Sequence, residues 1–260
     1  MSKMLLVIDI GNTTIVTGVF DNEKLIASWR LSSSLHTSDE FGIYLLNLLA
    51  SKQITPSDID GAAFASVVPF IDSSMKQAVR DYFKVEPLQV NALTDTGIKV
   101  QVYNPAEVGA DRIVNAVAGL HEYGAPLIIV DYGTAITFDV ISAEGAYIGG
   151  VIAPGLVSGI SALFSKAAKL PQVSLSIPER VIGRNTEENI RSGILFGNGG
   201  LTDRLIDMIR EEPGLKSARV IATGGHAELM KQVSQRIQYV DNNLMLEGLR
   251  LIYSRLNHLD

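Results

Sequence analysis

Residues 5–14 read Leu-Leu-Val-Ile-Asp-Ile-Gly-Asn-Thr-Thr, an apolar run that ends in Asp9 and is followed by a Gly-Asn pair. A second β-rich run, residues 15–20, comes directly after it. A Gly-Asn pair between two β-rich runs is typical of a β-hairpin, because both residues accept the backbone angles of a tight turn. The stretch therefore predicts a strand that ends in an acidic residue, a hairpin turn and a second strand.

The same pattern returns in the second half of the chain. Residues 126–137 read Pro-Leu-Ile-Ile-Val-Asp-Tyr-Gly-Thr-Ala-Ile-Thr, and their acidic residue is Asp131. The two Asp-x-Gly motifs lie 122 residues apart in a chain of 260. In each half a turn, a third strand and helical patterns follow. We interpret this as the duplication of one unit and find no shorter repeat of the solenoid kind.

Strand and helix patterns that alternate in this way predict an α/β fold with a mixed sheet flanked by helices in each half. The boundary is expected inside a helix that begins near Ala110 and runs to Tyr123. This gives an N-terminal domain of residues 1–115 and a C-terminal domain of residues 116–260.

The composition excludes several classes of function. The net charge of −6 opposes a nucleic-acid surface, and the absence of cysteine excludes disulfides, thiolate metal sites and a cysteine nucleophile. The four histidines form no i, i+4 zinc pair. No stretch approaches the ~18 apolar residues of a membrane helix, and the short apolar start does not fit a signal peptide. We expect a cytoplasmic protein that binds neither nucleic acid nor membrane.

The two Asp-x-Gly motifs carry the strongest chemical signal. Glycine lets the backbone approach a phosphate closely, Asn12 and Thr13 add donors, and Asp9 suits a metal ion or water beside the phosphates. Each motif alone is equally a hairpin turn with aspartate as a turn-former. Their recurrence favours a function, because a carboxylate at a strand end is costly to desolvate. One acidic turn in each half suits a nucleotide that is held from both sides.

Three further motifs leave alternatives open. Residues 109–112, Gly-Ala-Asp-Arg, lead into a helix, where Asp111 is either the N-cap or an acceptor for a hydroxyl proton. Arg112 is either a solvated charge or a partner for an anionic group. Residues 149–155 and 222–226 are rich in glycine, and each is either a ligand contact before a helix or an ordinary turn. The common nucleotide-loop and nucleophile-elbow signatures are missing.

Taken in order, these motifs resemble type III pantothenate kinase from end to end and, more widely, the superfamily of actin, heat-shock ATPases and sugar kinases. The stretches that carry the resemblance are residues 9–13, 104–112, 131–135, 149–155 and 183–186. The resemblance implies two duplicated ribonuclease-H-like (actin-like ATPase) domains. It also implies that ATP and pantothenate give ADP and 4′-phosphopantothenate, the first step towards coenzyme A.

The resemblance implies roles for individual residues. It implies that Asp111 is the catalytic base and that Asp131 holds a monovalent cation, potassium or ammonium, while Mg²⁺ accompanies the nucleotide. ATP is expected to bind a set of residues from both halves: Asp9, Ile10, Gly11, Asn12, Thr13, Thr14, Ile15, Val16 and Thr134. Pantothenate is expected to bind a second set, of which the last reaches it from the other subunit of a homodimer: Gly109, Ala110, Asp111, Arg112 and Thr186.

One departure from the family pattern concerns the aromatic wall of the pantothenate pocket. The family often has tyrosine two residues before the Asn-Pro pair, whereas this chain has Val102 there and Tyr103 next to Asn104. Two rival functions remain: another kinase of the superfamily with a sugar or acyl substrate, and a non-enzymatic transcriptional accessory protein. The three intact aspartates count against the second rival.

The helical stretch that begins at Glu187 predicts the dimer. Its apolar residues follow the spacing of one helix face, and they are interrupted by glycines: Gly193, Gly197, Gly199 and Gly200. Glycine weakens a lone helix by up to about 1 kcal/mol each, so this stretch needs packing to hold it. The packing partner is either the same chain or a second copy across a two-fold axis.

Overall fold

The structure is a computed structural model that describes residues 4–34, 36–166 and 173–258. Its first strands and helices are, in chain order, β1 (Met4–Ile10), β2 (Thr14–Asp21), β3 (Lys24–Ser32), α1 (Ser38–Ala50), β4 (Ile59–Ser66), α2 (Pro69–Phe83) and β5 (Pro87–Val90). The later ones are β6 (Lys99–Val100), α3 (Ala110–Tyr123), β7 (Leu127–Tyr132), β8 (Ala135–Ile141), β9 (Ala146–Pro154), α4 (Leu156–Lys166), α5 (Thr186–Glu211), β10 (Arg219–Thr223), α6 (Ala227–Lys231), β11 (Tyr239–Val240) and α7 (Leu244–Leu256). In this part of the chain no helix is long and apolar enough to cross a membrane.

The chain divides into two compact units. The first contains the described residues up to position 98, residues 103–118 and the residues from 244 onward. The second contains residues 99–102 and 119–243. The sequence predicts a single boundary after residue 115, whereas the two units meet at four points along the chain. One reason is that α7, at the end of the chain, packs on strands of the first unit.

The first unit is built on a five-stranded sheet in the order β3-β2-β1-β4-β5. The strand β1 is antiparallel to β2 and parallel to β4, and its alternate residues face opposite sides of the sheet. Leu6 and Ile8 pack in a cluster with residues of α1 and α2. Leu5 and Val7 pack in a second cluster with residues of α7 and the start of α3. Both faces of this sheet are therefore covered by helices.

The second unit repeats this topology. Its six-stranded sheet has the order β11-β10-β7-β8-β9-β6. The run β9-β8-β7-β10-β11 corresponds to β3-β2-β1-β4-β5, with β7 antiparallel to β8 and parallel to β10. The additional strand, β6, comes from an earlier part of the chain and pairs with β9. The predicted mixed sheets flanked by helices are confirmed, and their shared topology agrees with a duplication.

Candidate active site

The first acidic turn lies at the carboxyl end of β1, a central strand of the first sheet. The Gly11 N–H donates to the Thr14 carbonyl at 3.1 Å, and a Cβ on Gly11 would lie 3.0 Å from that oxygen. Asn12 and Thr13 are exposed at the tip of the turn. The turn therefore offers backbone and side-chain donors to a ligand on one side of Asp9.

Two of the residues assigned to ATP have side chains that no ligand in this turn can reach. Ile10 and Ile15 are fully buried in the core of the first unit. Any contact that they make with a nucleotide is therefore restricted to backbone groups. The other residues of the predicted set are exposed or partly exposed: Asp9, Gly11, Asn12, Thr13, Thr14, Val16 and Thr134.

The second acidic turn is equivalent and one residue shorter. The Gly133 N–H donates to the Ala135 carbonyl at 3.0 Å, and Asp131 stands opposite Thr137 on β8. The next residue, Tyr132, is buried, and its hydroxyl lies 2.8 Å from the hydroxyl of Thr202 on α5. This hydrogen bond fixes the end of β7 and with it the position of Asp131.

Both glycine-rich stretches pack against the second acidic turn. Gly224 has φ +90°, and a Cβ there would lie 2.3 Å from Asp131 Oδ1. A Cβ on Gly155 would lie 2.2 Å from the Thr134 carbonyl oxygen. The same oxygen accepts a hydrogen bond of 2.8 Å from the Ser158 hydroxyl in the first turn of α4. The N-terminus of α4, a position that favours anions, is therefore held against Thr134.

Sequence reasoning missed Ser158. Its hydroxyl fixes the backbone of Thr134, one of the predicted nucleotide residues. The available signal was its position one helical turn after Gly155, where a short polar side chain can turn back towards the residues before the helix. The contact itself joins residues that are 24 positions apart, so no local pattern contained it.

Asp111 is not the helix N-cap, so that interpretation is wrong. The helix α3 begins at Ala110, and the Gly109 carbonyl accepts from the Ile113 N–H at 3.3 Å, which makes Gly109 the cap position. Asp111 Oδ1 accepts from the Arg112 N–H at 2.9 Å. A Cβ on residue 109 would lie only 2.4 Å from the same oxygen. Glycine at this position therefore makes room for the carboxylate.

Burial raises the pKa of the Asp111 carboxyl above its ordinary value. The backbone N–H and the positive charge of Arg112 act in the opposite direction and do not cancel the effect. A carboxylate with a raised pKa is a better proton acceptor at neutral pH than an exposed one. The environment of Asp111 thus fits a proton-accepting role better than that of a surface charge.

The start of α3 packs in the same hydrophobic cluster as residues of β1 and β4. Ala110 and Val114 pack in one cluster with Val7 and Ala65. Ala65 is the residue of β4 that stands opposite Asp9. Within the first unit, the predicted pantothenate residues 109–112 and the predicted phosphate turn therefore belong to one region. Asp131, Thr134 and Thr186 belong to the second unit.

The remaining predicted residues lie on the surface of their own units. Thr186 is the exposed first residue of α5, directly after the cap residue Asn185, whose side chain accepts from the Glu188 N–H at 2.9 Å. Tyr103 is fully exposed. Val102 belongs to the second unit, where its Cγ1 lies 4.0 Å from the Cβ position of Gly149. The described residues contain no group of three or more histidine, aspartate or glutamate side chains that could hold a metal ion.

Comparison with known proteins decides the family. A family model described as type III pantothenate kinase matches residues 5–208. The chain belongs to the type III pantothenate kinase family. It is 49% identical over 251 residues to the type III pantothenate kinase of Roseiflexus sp. (strain RS-1), covering 96% of this chain and 98% of that one. The family match includes both acidic turns, residues 109–112 and Thr186, and it ends before Gly224.

Solved structures confirm the fold class that the type III pantothenate kinase family implied. The chain is similar to a Baf family transcriptional activator from Campylobacter jejuni, with a TM-score of 0.61, 17% identity and coverage of 97% of this chain and 99% of that one. It is also similar to the activator of 2-hydroxyisocaproyl-CoA dehydratase from Clostridium difficile, solved with bound ADPNP, with a TM-score of 0.57, 14% identity and coverage of 99% and 95%. These likenesses concern the fold, which is the duplicated actin-like ATPase fold.

Proposed function

We propose that this chain transfers the γ-phosphoryl group of ATP to the hydroxyl of pantothenate, giving ADP and 4′-phosphopantothenate. Its membership of the type III pantothenate kinase family over nearly its full length supports the reaction. The structural observation that carries the proposal is the carboxylate of Asp111, which lies in the first turn of α3 with a raised pKa. The product is the first intermediate on the way to coenzyme A.

Asp111 is the group that accepts the proton of the pantothenate hydroxyl as the phosphoryl group arrives. Phosphoryl transfer needs little covalent chemistry from the protein, which mainly positions the reactants and neutralises charge. The half-buried Arg112 provides a positive charge for the pantothenate carboxylate. Gly109 and Ala110 supply the backbone at which the substrate meets the start of the helix.

ATP is assigned to the two acidic turns. In the first turn, Asp9 to Val16, backbone N–H groups and side chains of the exposed Asn12 and Thr13 bind phosphate oxygens, and Gly11, whose own N–H donates to the Thr14 carbonyl, lets the phosphates approach the backbone closely. In the second turn, Thr134 and the N-terminus of α4 provide further donors. The contacts of Gly155 and Gly224 support this assignment, because they hold the second turn in a fixed conformation.

Two cations are part of the proposal. Mg²⁺ is expected to arrive with the nucleotide, because Mg²⁺ in such sites is held mainly by phosphates and water. Potassium or ammonium is assigned to Asp131, whose Oδ1 lies 2.3 Å from the position that a Cβ on Gly224 would take. Carboxylate and backbone oxygens are the donors that such a cation accepts, so the residues present fit it. The cation supplies positive charge beside the polyphosphate.

Turnover is expected to require a monovalent cation. A carboxylate at Asp131 beside the polyphosphate is repelled by like charge unless a counter-ion is bound. Activity should therefore fall at least about tenfold, a loss of roughly 1.4 kcal/mol, in tris buffer free of potassium and ammonium. Adding potassium chloride should restore it, and an equal concentration of tetramethylammonium chloride is the control for ionic strength. Full activity in the tris buffer would show that Asp131 holds no essential cation.

A substrate panel separates this function from that of a sugar or acyl kinase with the same fold. Pantothenate, glucose, glycerol and acetate are each offered with Mg²⁺, ATP and potassium, and ADP release is measured. We expect turnover with pantothenate alone. Phosphorylation of a sugar or of acetate in place of pantothenate would contradict the assignment of residues 109–112.

The proposal includes a homodimer formed through α5. Three glycines of this helix have no atom of the described part of the chain within 4 Å of their Cβ positions: Gly193, Gly197 and Gly200. The apolar side chains of Leu201 and Met208 are exposed on the same helix. Gly199, in contrast, packs against the Val233 carbonyl of its own chain. A second copy on the open face is the arrangement that brings Thr186 to the pantothenate of its partner.

Gly197→Glu is expected to give monomers. A Cβ at this position meets no atom of the described residues within 4 Å, so the charged side chain is expected to leave the fold intact and to act on a partner. We expect the KM for pantothenate to rise more than the KM for ATP. Gly197→Ala is the matched control, and it should stay dimeric and gain up to about 1 kcal/mol of helix stability. Sedimentation that shows an active wild-type monomer at assay concentration would contradict the dimer.

The cytoplasmic location expected from the sequence is part of the same proposal. Its support is the assignment to a metabolic kinase that uses ATP. Fractionation of cells that express the protein, followed by detection of the chain in each fraction, tests it.

A further inference from the structure

The segment between β3 and α1 lies beside the first acidic turn. The Ser33 N–H donates to the Thr13 carbonyl at 3.0 Å, so the segment begins in direct contact with the tip of that turn. At its other end Thr37 caps α1: its N–H donates to Glu40 Oε2 at 2.7 Å, and its hydroxyl accepts from the Glu40 N–H. The segment is therefore held at both ends, and Ser33 is joined directly to the turn.

His36, one residue before the cap residue Thr37, packs on α1. The imidazole packs edge-on against the rings of Phe41 and Tyr44, each with a centroid distance of 5.2 Å. Its Nε2 lies 2.7 Å from the hydroxyl of Ser34. The hydroxyl of Ser34 thus forms a hydrogen bond within the segment. The hydroxyl of Ser33 does not take part in this bond.

The Ser33 hydroxyl is buried and has no hydrogen-bond partner among the residues that the structure describes. A buried hydroxyl without a partner destabilises a protein, so such a group needs an explanation in a ligand, an ion or a water molecule. Its neighbours Ser32 and Ser34 are exposed and have no such need. A serine hydroxyl donates readily to a phosphate oxygen.

We propose that the Ser33 hydroxyl donates a hydrogen bond to the polyphosphate of ATP bound at the Gly11–Thr13 turn. This inference rests on the assignment of that turn to the phosphates in the proposed function. It adds a donor from the segment after β3, since the backbone N–H of the same residue is bonded to Thr13 in the turn. Ser33 then contributes to binding of the phosphates and not of the adenosine.

The test compares Ser33→Ala with Ser32→Ala, a neighbouring exposed serine, by calorimetric titration of the full chain with Mg²⁺ and ATP and, separately, with adenosine. For Ser33→Ala we expect the Kd of ATP to rise about 10- to 100-fold, the range for a lost hydrogen bond to a charged group, with the Kd of adenosine unchanged. Ser32→Ala should bind both ligands as the wild type does. Ser33→Thr, which keeps the hydroxyl, should restore most of the ATP affinity.

The melting temperature of Ser33→Ala without nucleotide tests independently whether the hydroxyl lacks a partner in the free protein. Removal of an unpartnered buried hydroxyl should leave the melting temperature of Ser33→Ala unchanged or raise it. An unchanged Kd for ATP would overturn the proposal, whatever the melting temperature. If Ser33→Ala does not fold, Ser33→Cys takes its place as a variant of similar shape with a weak donor. These titrations contain no pantothenate, so they test ATP binding separately from the proposed reaction. A wild type that binds ATP but does not phosphorylate pantothenate would contradict the proposed reaction and would not affect the conclusion about Ser33.

Discussion

Replacement of Asp111 with asparagine is expected to reduce turnover by about 10²–10⁴-fold, the usual range for loss of a positioned general base. Asparagine keeps an acceptor oxygen for the Arg112 N–H but does not take up a proton. ATP binding and the fold should be retained. The measurement is kcat with saturating ATP and pantothenate, together with the Kd of ATP from calorimetry.

The same substitution should not destabilise the protein at neutral pH. Burial raises the pKa of Asp111 in the folded state, so the folded protein binds its proton up to a higher pH than the unfolded chain does. Between those two pKa values the free energy of unfolding decreases as the pH rises, and above them the ionised group destabilises the fold. Asparagine stays neutral, so the melting temperature at pH 7 should be equal or higher.

The raised pKa also has a consequence for the pH profile. Asp111 must be ionised to accept a proton, so kcat/KM should fall on the acid side at a higher pH than the ordinary aspartate value of about 3.9 would give. This acid limb should be absent from the residual activity of Asp111→Asn.

Asp39→Asn is the matched control for Asp111→Asn. Asp39 is the second residue of α1, as Asp111 is of α3, but it is exposed and hydrogen-bonded to the Tyr82 hydroxyl at 2.8 Å. Loss of a favourable charge at a helix start costs about 0.3–1 kcal/mol and should leave turnover unchanged. Near-normal turnover of Asp111→Asn would show that this carboxylate only supports the helix.

Gly155→Ala is expected to have the second large effect. Its Cβ would lie 2.2 Å from the Thr134 carbonyl oxygen and 2.8 Å from that of Gly133, so the backbone of the turn has to move. Overpacking of this kind costs about 1–3 kcal/mol of stability. Displacement of the turn by about 1 Å is expected to reduce turnover about 10²-fold. Thermal unfolding and steady-state kinetics measure the two effects.

Gly159→Ala, one helical turn further on in α4, is the control. The nearest atom to its Cβ is Ile194 Cδ1 at 3.9 Å, an ordinary contact. Alanine should therefore be neutral or add up to about 1 kcal/mol of helix stability. If Gly155→Ala behaves like Gly159→Ala in both measurements, the close packing of α4 on the second acidic turn has no part in nucleotide binding.

The sequence predicted the features that depend on local pattern. Both hairpins follow from an apolar run, an aspartate and a glycine turn. The apolar run reflects a strand that is buried on both faces of its sheet, and the glycine provides the backbone angles of the turn. The spacing of apolar residues predicts a helix from residue 187 to about 211, and the structure has α5 at Thr186–Glu211. Repetition of the motif was enough to predict that the two sheets would be alike.

Contacts between distant residues were not predictable in this way. The pattern predicts a helix over residues 227–235, whereas α6 ends at Lys231. Asp203, on α5, accepts from the N–H groups of Gln235 and Arg236 and from the Ser234 hydroxyl, which stabilises a turn in place of further helix. Similarly, β6 consists of two residues and exists only because it pairs with β9.

In the candidate site, too, some features follow from the local sequence and others depend on contacts between distant residues. Asp9, Asp131 and Asp111 stood out by their positions relative to glycine and to predicted elements. The structure excludes Asp111 as the helix N-cap, because Gly109 occupies that position, and the role of Asp111 as a base stays a prediction. The role of Gly224 depends on its packing against Asp131, a residue far away in the sequence. Ser33 belongs to no sequence motif, and only the burial of its hydroxyl identifies it as a candidate.

The central claim is tested most directly by identifying the product of one reaction. The full chain is incubated with pantothenate, Mg²⁺, ATP and potassium, and the mixture is analysed by mass spectrometry and by ADP assay, with folded Asp111→Asn in parallel. We predict one 4′-phosphopantothenate for each ADP with the wild type, and a rate about 10²–10⁴-fold lower with the variant. ADP without phosphopantothenate, or no turnover by folded wild-type protein that binds both substrates, would contradict the account.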